Sequence, residues 1–397
     1  MRHDFVFTSE SVTEGHPDKL CDVISDAVVD HLLRLNPLAN MVVECAVSTG
    51  VLFVAASLPA DVSVDIPTLA RQVIAQIGYQ EASFNPRTCS VMTTFTGPLS
   101  EGWTQADERS LSEEEIERIP ARNQITVFGY ACHQTPGFMP LPIWLAHKLA
   151  RRLTAVRLQG LLPGLRPDGG AQVGVEYRQG RPARIHSLTL LASHDAACAG
   201  RQGRLRDDLM EAVIRPAFAD EPIGLDRHTR IFVNPDGPFV EGGPGVHSGL
   251  TGRKTAMDTY GGFARHGGAA LSGKGPARID RIGAYAARYA AKNLIAAGLA
   301  EECEVQLSYT IGIARPVSVQ VETFGTGRRD DGTLSALVAR HFDFRPAGIV
   351  RQFGLRSLPA QSRQGFFRRL AAYGQMGRMD LGLPWEVTDR AARLLEG

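Results

Sequence analysis

Apolar residues in LCDVISDAVVDHLL recur at intervals of three and four, at Leu20, Val23, Ile24, Ala27, Val28 and Leu32, which predicts an amphipathic helix entered through Pro17. The period then changes. Residues 41–47 and 51–57 are apolar runs parted by Ser48-Thr49-Gly50, the mark of a hairpin. Residues 66–77 return to a helical stripe, with Leu69, Val73, Ile74 and Ile77 on one face and Gly78 as the stop, and 89–95 reads as a further strand. Strands are also predicted over 173–177, 185–192, 231–233, 305–313 and 317–322, and helices over 142–156, 205–214, 282–297 and 334–341. Turns are predicted at 165–170 and 234–237. The order strand, strand, helix comes round about three times, which predicts an α+β fold of three similar α/β units.

Two stretches break the pattern. Residues 97–122 are polar, contain Pro98 and Pro120, and hold Ser112-Glu113-Glu114-Glu115, a capping box for a short helix; an insertion of this kind reads as a lid or an irregular loop. Residues 242–280 are rich in glycine, with Arg253, Lys254, Arg265, Lys274 and Arg278 set among them. Backbone without side chains can turn through positive φ and bring its N–H groups against a ligand, and the cations supply compensating charge, so the combination suits a polyphosphate. The stretch runs straight into a helix with Asp280 at its start, a candidate Mg2+ ligand. A glycine-rich surface loop with solvated charges is the alternative. At the other end of the chain, Glu14-Gly15-His16-Pro17-Asp18-Lys19 crowds His16, Asp18 and Lys19 around a helix N-terminus with spare N–H donors. Asp18 as a plain capping carboxylate and His16 as a turn residue are equally open.

Composition narrows the function. The 397 residues are 44% hydrophobic and 21% charged, enough for two or three domains. A net charge of +1 argues against coating nucleic acid or a membrane surface. No run approaches a membrane span and MRHDFVFTSES lacks a signal-peptide layout, so a cytoplasmic location is expected. Six cysteines without a CxxC pair point to buried free thiols rather than zinc or disulfides.

At FTSESVTEGHPDK, VFGYACHQTPGFMPLP, GLTGRK, DTYGGFARHGG, AYAARYAAKNLIAAGLAEECEVQLSY and VETFGTG the chain resembles the S-adenosylmethionine synthase (methionine adenosyltransferase) family, in the family's order and over nearly the full length. The resemblance implies three α/β domains around a pseudo-threefold axis, divided here as 1–101, a lid-like loop at 102–122, 123–241 and 242–397. It implies a homo-oligomer, a dimer or a tetramer, with active sites between facing subunits. The implied reaction is attack of methionine sulfur on C5′ of ATP, with release of triphosphate and its hydrolysis to phosphate and diphosphate, using Mg2+ and K+. Catalysis would then be mostly positioning and cationic stabilisation of the leaving group. By motif position, Asp18 and Asp280 would hold Mg2+ and Glu44 would hold K+. Lys19, Arg253, Lys254, Lys274 and Arg278 would clamp phosphates, His16 would sit at O5′, Asp168 at the ribose and Phe239 against adenine. Arg278 stands where the family usually has lysine.

The departures from the family pattern gather at the acceptor. Ser57 replaces a glutamate that contacts methionine, and Pro98 a glutamine that meets its carboxylate. Asn123, in Pro120-Ala121-Arg122-Asn123-Gln124-Ile125, replaces an aspartate, and His247 replaces the aspartate that receives the amino group. Gly170 stands in place of a phosphate-contacting lysine. An ammonium held by two carboxylates loses about 1.5–3 kcal/mol with each charge-assisted bond. Two acceptors are therefore expected as alternatives: methionine, or a nucleophile that lacks an α-amino group or carries extra negative charge for His247 and Arg122 to meet. A regulatory subunit that binds ATP without turnover, and a triphosphate hydrolase without transfer, are further alternatives. Residues 351–369, basic and containing phenylalanines, carry no expected role beyond packing.

Overall fold

The computed structural model describes residues 4–58, 64–97 and 107–396. Its strands are β1 (Phe5–Val12), β2 (Val42–Ser48), β3 (Val51–Ser57), β4 (Ser90–Thr96), β5 (Ile125–Cys132), β6 (Leu165–Arg178), β7 (Arg181–His194), β8 (Arg230–Val233), β9 (Gly249–Leu250), β10 (Glu302–Tyr309) and β11 (Ser318–Glu322). They form three sheets, ordered β4-β3-β2-β9, β1-β6-β7-β8 and β11-β10-β5. Each is backed by helices: α1 (Pro17–Leu35) and α2 (Ile66–Ile77) on the first, the Leu141–Leu158 helix on the second, and the Ile279–Ala296 and Asp331–His341 helices on the third. This is the α+β architecture expected. Its sheets do not follow the linear segments, because β1, β5 and β9 are each lent to a sheet built mainly from a distant part of the chain.

Local chemistry explains most elements. The His16 ring accepts from the Asp18 N–H to cap α1, Asp65 caps α2, and Gly78 at φ 102° ends α2. Alternation puts Val43, Cys45 and Val47 of β2 and Leu52, Val54 and Ala56 of β3 in the core beneath α1. The same core reaches the Ile279–Ala296 helix, and a second one lies between the Leu141–Leu158 helix and β6 and β7. Five cysteines are buried free thiols and Cys198 is half-buried. No helix of the described residues is long and apolar enough to cross a membrane.

Several predicted elements change. Residues 165–170 are not a turn but the irregular start of β6, with a register shift between Leu165 and Gly169. Pro167 has no N–H for a ladder, so the segment bulges within the strand instead of reversing it. The 305–313 run stops at Tyr309, leaving Ile311 and Ile313 exposed. The segment predicted as a lid or irregular loop is tied down over 107–122. The capping box forms at the Glu113–Glu117 helix, Ile116 and Ile119 are buried, and Arg345 and Arg351 pair with Glu113 at 2.5 and 2.6 Å. Arg356 grips buried Glu108 at 2.8 and 2.9 Å, which gives the basic 351–369 segment part of a role. Pro98 and residues 102–106 lie outside the described residues.

Candidate functional site

Four aspartates follow one another at every fourth position of α1, at 18, 22, 26 and 30, and all four are buried. Buried carboxylates need donors, and each of these takes backbone N–H groups from residues distant in the chain. Leu250 N–H donates to Asp18 at 3.0 Å, Gly252 to Asp22 at 2.8 Å and Gly273 to Asp26 at 2.8 Å. Phe367 and Arg368 donate to Asp30 at 3.0 and 2.9 Å. One helix face thus pins the glycine-rich stretch on both sides of Arg253, Lys254 and Arg265. Two glycines are obligatory for so close a fit: a Cβ on Gly249 would lie 2.2 Å from the Pro17 backbone, and one on Gly273, at φ 78°, would lie 1.9 Å from the Val43 carbonyl oxygen.

The pinned loop sets Arg253 and Lys254 beside the start of α1. Arg253 is 3.8 Å from one Asp18 oxygen and Lys254 is 3.9 Å from the other, with Glu10 3.8 Å beyond Lys254. The His16 ring lies 3.8 Å from Asp18. Burial pushes the His16 pKa down to about 4, with Lys254, Lys19 and His247 adding to the effect and Asp18 opposing it, so the imidazole is neutral near pH 7. Lys19 departs from expectation. It is fully buried, and its ammonium donates to Asp22 at 2.9 Å and to Asp258, so it faces the core rather than a phosphate. Burial opposes its charge, but the two carboxylates outweigh that and hold its pKa above the ordinary value. The reason is helical geometry: positions 18 and 19 are separated by about a quarter of a turn.

Asp168 and Phe239 both lie against Gly242. A Cβ on Gly242 would touch the Phe239 ring at 3.0 Å and the Asp168 carboxylate at 3.1 Å, and Gly243 N–H donates to Asp168 at 2.7 Å. Asp168 and Gly242 border a cleft of about 300 Å3 whose wall includes Tyr79, Ser83, Arg166 and Ser193. Burial raises the Asp168 carboxyl to about 6. The Tyr79 hydroxyl donates to the Gly15 carbonyl and so ties this cleft to the His16 loop.

Two further pairs form, Glu44 with Lys274 and Asn123 with Asp280. Lys274 donates to Glu44 at 3.3 Å, and Asn123 donates its amide N–H to Asp280 at 2.7 Å. Asp280 lies in the first turn of the Ile279–Ala296 helix, with Arg278 at its N-cap. Buried Arg281 joins Asp26 through two 2.8 Å bonds and also donates to the Lys274 carbonyl, which fixes the backbone that carries Lys274. Among the described residues Asp280 takes the Asn123 amide, whereas Asp18 takes the Leu250 N–H and has Arg253 and Lys254 nearby. Beside Glu44 the outward face of the first sheet is apolar. Paired positions Met92, Phe53, Ala46 and Leu250 form a row across its four strands, with Met92, Phe53 and Leu250 exposed by 57%, 40% and 47%.

The acceptor residues are loosely committed. Ser57 donates to the Gly97 carbonyl at 3.2 Å. His247 is exposed, held by its own N–H to Gly243 at 3.0 Å, and near enough to His16 and Asp168 to affect their ionisation. Gly170 lies in β6 opposite Val12. Sequence reasoning missed Asp22, Asp26, Asp30, Asp258, Arg281 and Tyr79; the four-residue spacing of the aspartates was the available signal.

No group of three or more His, Cys, Asp or Glu among the described residues forms a ready metal cage. Asp18 and Asp280 each commit one oxygen to an N–H donor. That donor set fits Mg2+, which commonly takes one or two carboxylates together with substrate phosphates and water. Glu44 alone, with Lys274 beside it, does not make a K+ site.

Family models for the N-terminal, central and C-terminal domains of S-adenosylmethionine synthetase match residues 4–97, 118–239 and 241–387. The chain is 50% identical over 403 residues to the S-adenosylmethionine synthase of Synechococcus sp. (strain JA-3-3Ab), covering 98% of this chain and 97% of that one. It is 48% identical over 409 residues to that of Microcystis aeruginosa (strain NIES-843 / IAM M-2473), covering 100% and 98%, and 49% identical over 404 residues to that of Trichormus variabilis (strain ATCC 29413 / PCC 7937), covering 98% and 96%.

Proposed function

The chain belongs to the S-adenosylmethionine synthase family, and on that premise we propose that it transfers the adenosyl group of ATP to the sulfur of methionine. Sulfur attacks C5′, the C5′–O5′ bond breaks, and triphosphate leaves and is then hydrolysed to phosphate and diphosphate. The observation that carries this reading is the loop bearing Arg253 and Lys254, pinned by buried aspartates of α1 beside neutral His16. Cations fixed before the substrate arrives need little rearrangement as charge builds on the leaving group. A neutral His16 can donate a hydrogen bond to O5′ as negative charge develops there. Asp168 accepts from the ribose and the Phe239 ring lies against adenine. Asp18 and Asp280 would hold Mg2+, which would screen charge between phosphate oxygens.

The site is completed by a second copy. Lys274, Arg278 and Asp280 of one chain reach phosphates held by Arg253 and Lys254 of the other, and the apolar row Met92–Phe53–Ala46–Leu250 is covered when the first sheets face each other. Removing such a row from water is the driving force for association.

A second reading concerns the acceptor, because Ser57, Asn123 and His247 present no carboxylate to an ammonium. The acceptor would then be a sulfur nucleophile without a free α-amino group. Incubation with ATP, Mg2+ and K+, with and without methionine, followed by mass spectrometry, separates the possibilities. S-adenosylmethionine at an ordinary enzymatic rate supports the first reading and sinks the second. ATP cleavage without an adenosylated product indicates a hydrolase, and no cleavage at all a regulatory subunit.

A further inference from the structure

A cavity of about 770 Å3 lies between α1, α2, the Leu141–Leu158 helix and the segment 363–381. Arg34, Arg151, Arg363, Arg368, Arg369 and Arg378 all line it. Three carboxylates stand in its wall, and all are already engaged. Asp380 takes Arg378 through two 2.9 Å bonds and has Arg151 at 3.1 Å. Asp30 receives the Phe367 and Arg368 backbone N–H groups, and Glu14 has Arg157 at 3.5 Å. Arg34 donates to the Pro359 and Ser362 carbonyls at 3.0 and 2.7 Å, bonds that fix it without neutralising it. Among the described residues Arg34, Arg363, Arg368 and Arg369 have no carboxylate within ion-pair distance. Burial pulls the pKa of Arg368 down against the influence of Glu14 and Asp30, the sign of a half-buried cation short of compensating charge.

We propose that this cavity is a binding site for an oligophosphate, either free or carried by a nucleotide. Guanidinium forks match phosphate oxygens two at a time, and the forks of Arg363, Arg368 and Arg369, with the charge of Arg34 beside them, call for an anion bearing several charges rather than one carboxylate. The volume suits a small molecule, and Val23, Ala27 and Leu69 supply an apolar wall for an organic portion. Since the whole chain carries only +1, the positive field is local to this cavity. The site does not depend on the catalytic reading, because none of its arginines belongs to the glycine-rich stretch.

The test titrates inorganic triphosphate, without Mg2+, into full-length Arg253→Ala/Lys274→Ala protein, whose glycine-loop site is silenced, and monitors heat. The proposal expects one triphosphate bound per chain, with affinity falling roughly tenfold or more when Arg363→Ala and Arg369→Ala are added, from the loss of charge-assisted bonds. Both arginines are exposed, so their loss leaves the fold intact, and Arg369→Glu alone is a second variant that should weaken binding further. Comparing ADP with diphosphate in the same background identifies the occupant: tighter ADP means a nucleotide, and tighter diphosphate a free oligophosphate. No binding in the silenced background, or binding indifferent to Arg363→Ala, Arg369→Ala and Arg369→Glu, overturns the proposal.

Discussion

Gly252, adjacent to Arg253 and Lys254, is tied at 2.8 Å to an aspartate in the core, whereas His247, five residues earlier in the same stretch, is exposed and held only through its backbone at 3.0 Å. The phosphate half of the site is built on buried aspartates that hold the loop through its backbone N–H groups. Its acceptor half rests on Ser57, bonded to the Gly97 carbonyl, on exposed His247, and on Asn123, which donates to Asp280 and accepts from the Gln124 N–H. Replacements in the phosphate half should disturb the fold or the chemistry itself, while replacements in the acceptor half should change which molecule is used.

Lys19→Met should have the largest effect, and on stability. It leaves the buried Asp22 and Asp258 carboxylates without their cation, a change that costs roughly 3–5 kcal/mol. A sharp fall in the thermal midpoint checks this; an unchanged midpoint with lost activity would restore Lys19 to the phosphates. Arg253→Ala comes next and should lower kcat by about 10²–10³ with little change in midpoint, since the arginine is exposed and its nearest carboxylate is 3.8 Å away. A drop in stability matching the drop in rate would erase the contrast with Lys19.

Mixing Asp18→Asn with Asp280→Asn protein sharpens the comparison between clusters. Each variant alone should be nearly inactive, and co-refolded mixtures should recover part of the activity, because one interface then carries both intact aspartates. No recovery would place both aspartates in one chain's site. The acceptor half is probed by His247→Asp, which should shift preference toward amino-bearing acceptors by roughly ten- to a hundredfold. Unchanged selectivity would remove His247 from the acceptor site.

The smallest expected effect is in pH dependence. Asp168, raised to about 6 by burial, is ionised above that value and protonated below it. A protonated carboxyl is the poorer acceptor for a ribose hydroxyl, so KM for ATP should rise as pH falls through about 6, while His16, at about 4, stays neutral across the window. Asp168→Asn should flatten the profile. For stability, burial penalises the ionised carboxyl: Asp168 costs stability above about 6, and that cost is lost as pH falls from about 6 toward the ordinary carboxylate value near 4.

Much of this site was legible along the chain because its groups are local. His16 and Asp18 share one turn, and GLTGRK carries Arg253 and Lys254 side by side. Lys19 was misplaced because adjacency in sequence is not adjacency on a helix. The aspartates at 22, 26 and 30 were passed over because a helical period was sought among apolar residues, while here the polar residues share it and are buried too. The loans of β1, β5 and β9 are non-local pairings, which no run of residues announces. Residues 165–170 looked like a turn because Pro167, Asp168 and Gly169 are turn formers, yet pairing with β7 resumes at Gly169 and with β1 at Gly170, and the segment stays extended.

ATP labelled with 18O at the bridging 5′ oxygen tests, in one turnover with methionine present, whether carbon rather than phosphorus is attacked while the loop cations hold the departing triphosphate. All the label should leave with the phosphate products and none should stay on the adenosyl group. Label retained on adenosine, AMP or ADP would mean cleavage at phosphorus and would contradict attack at carbon.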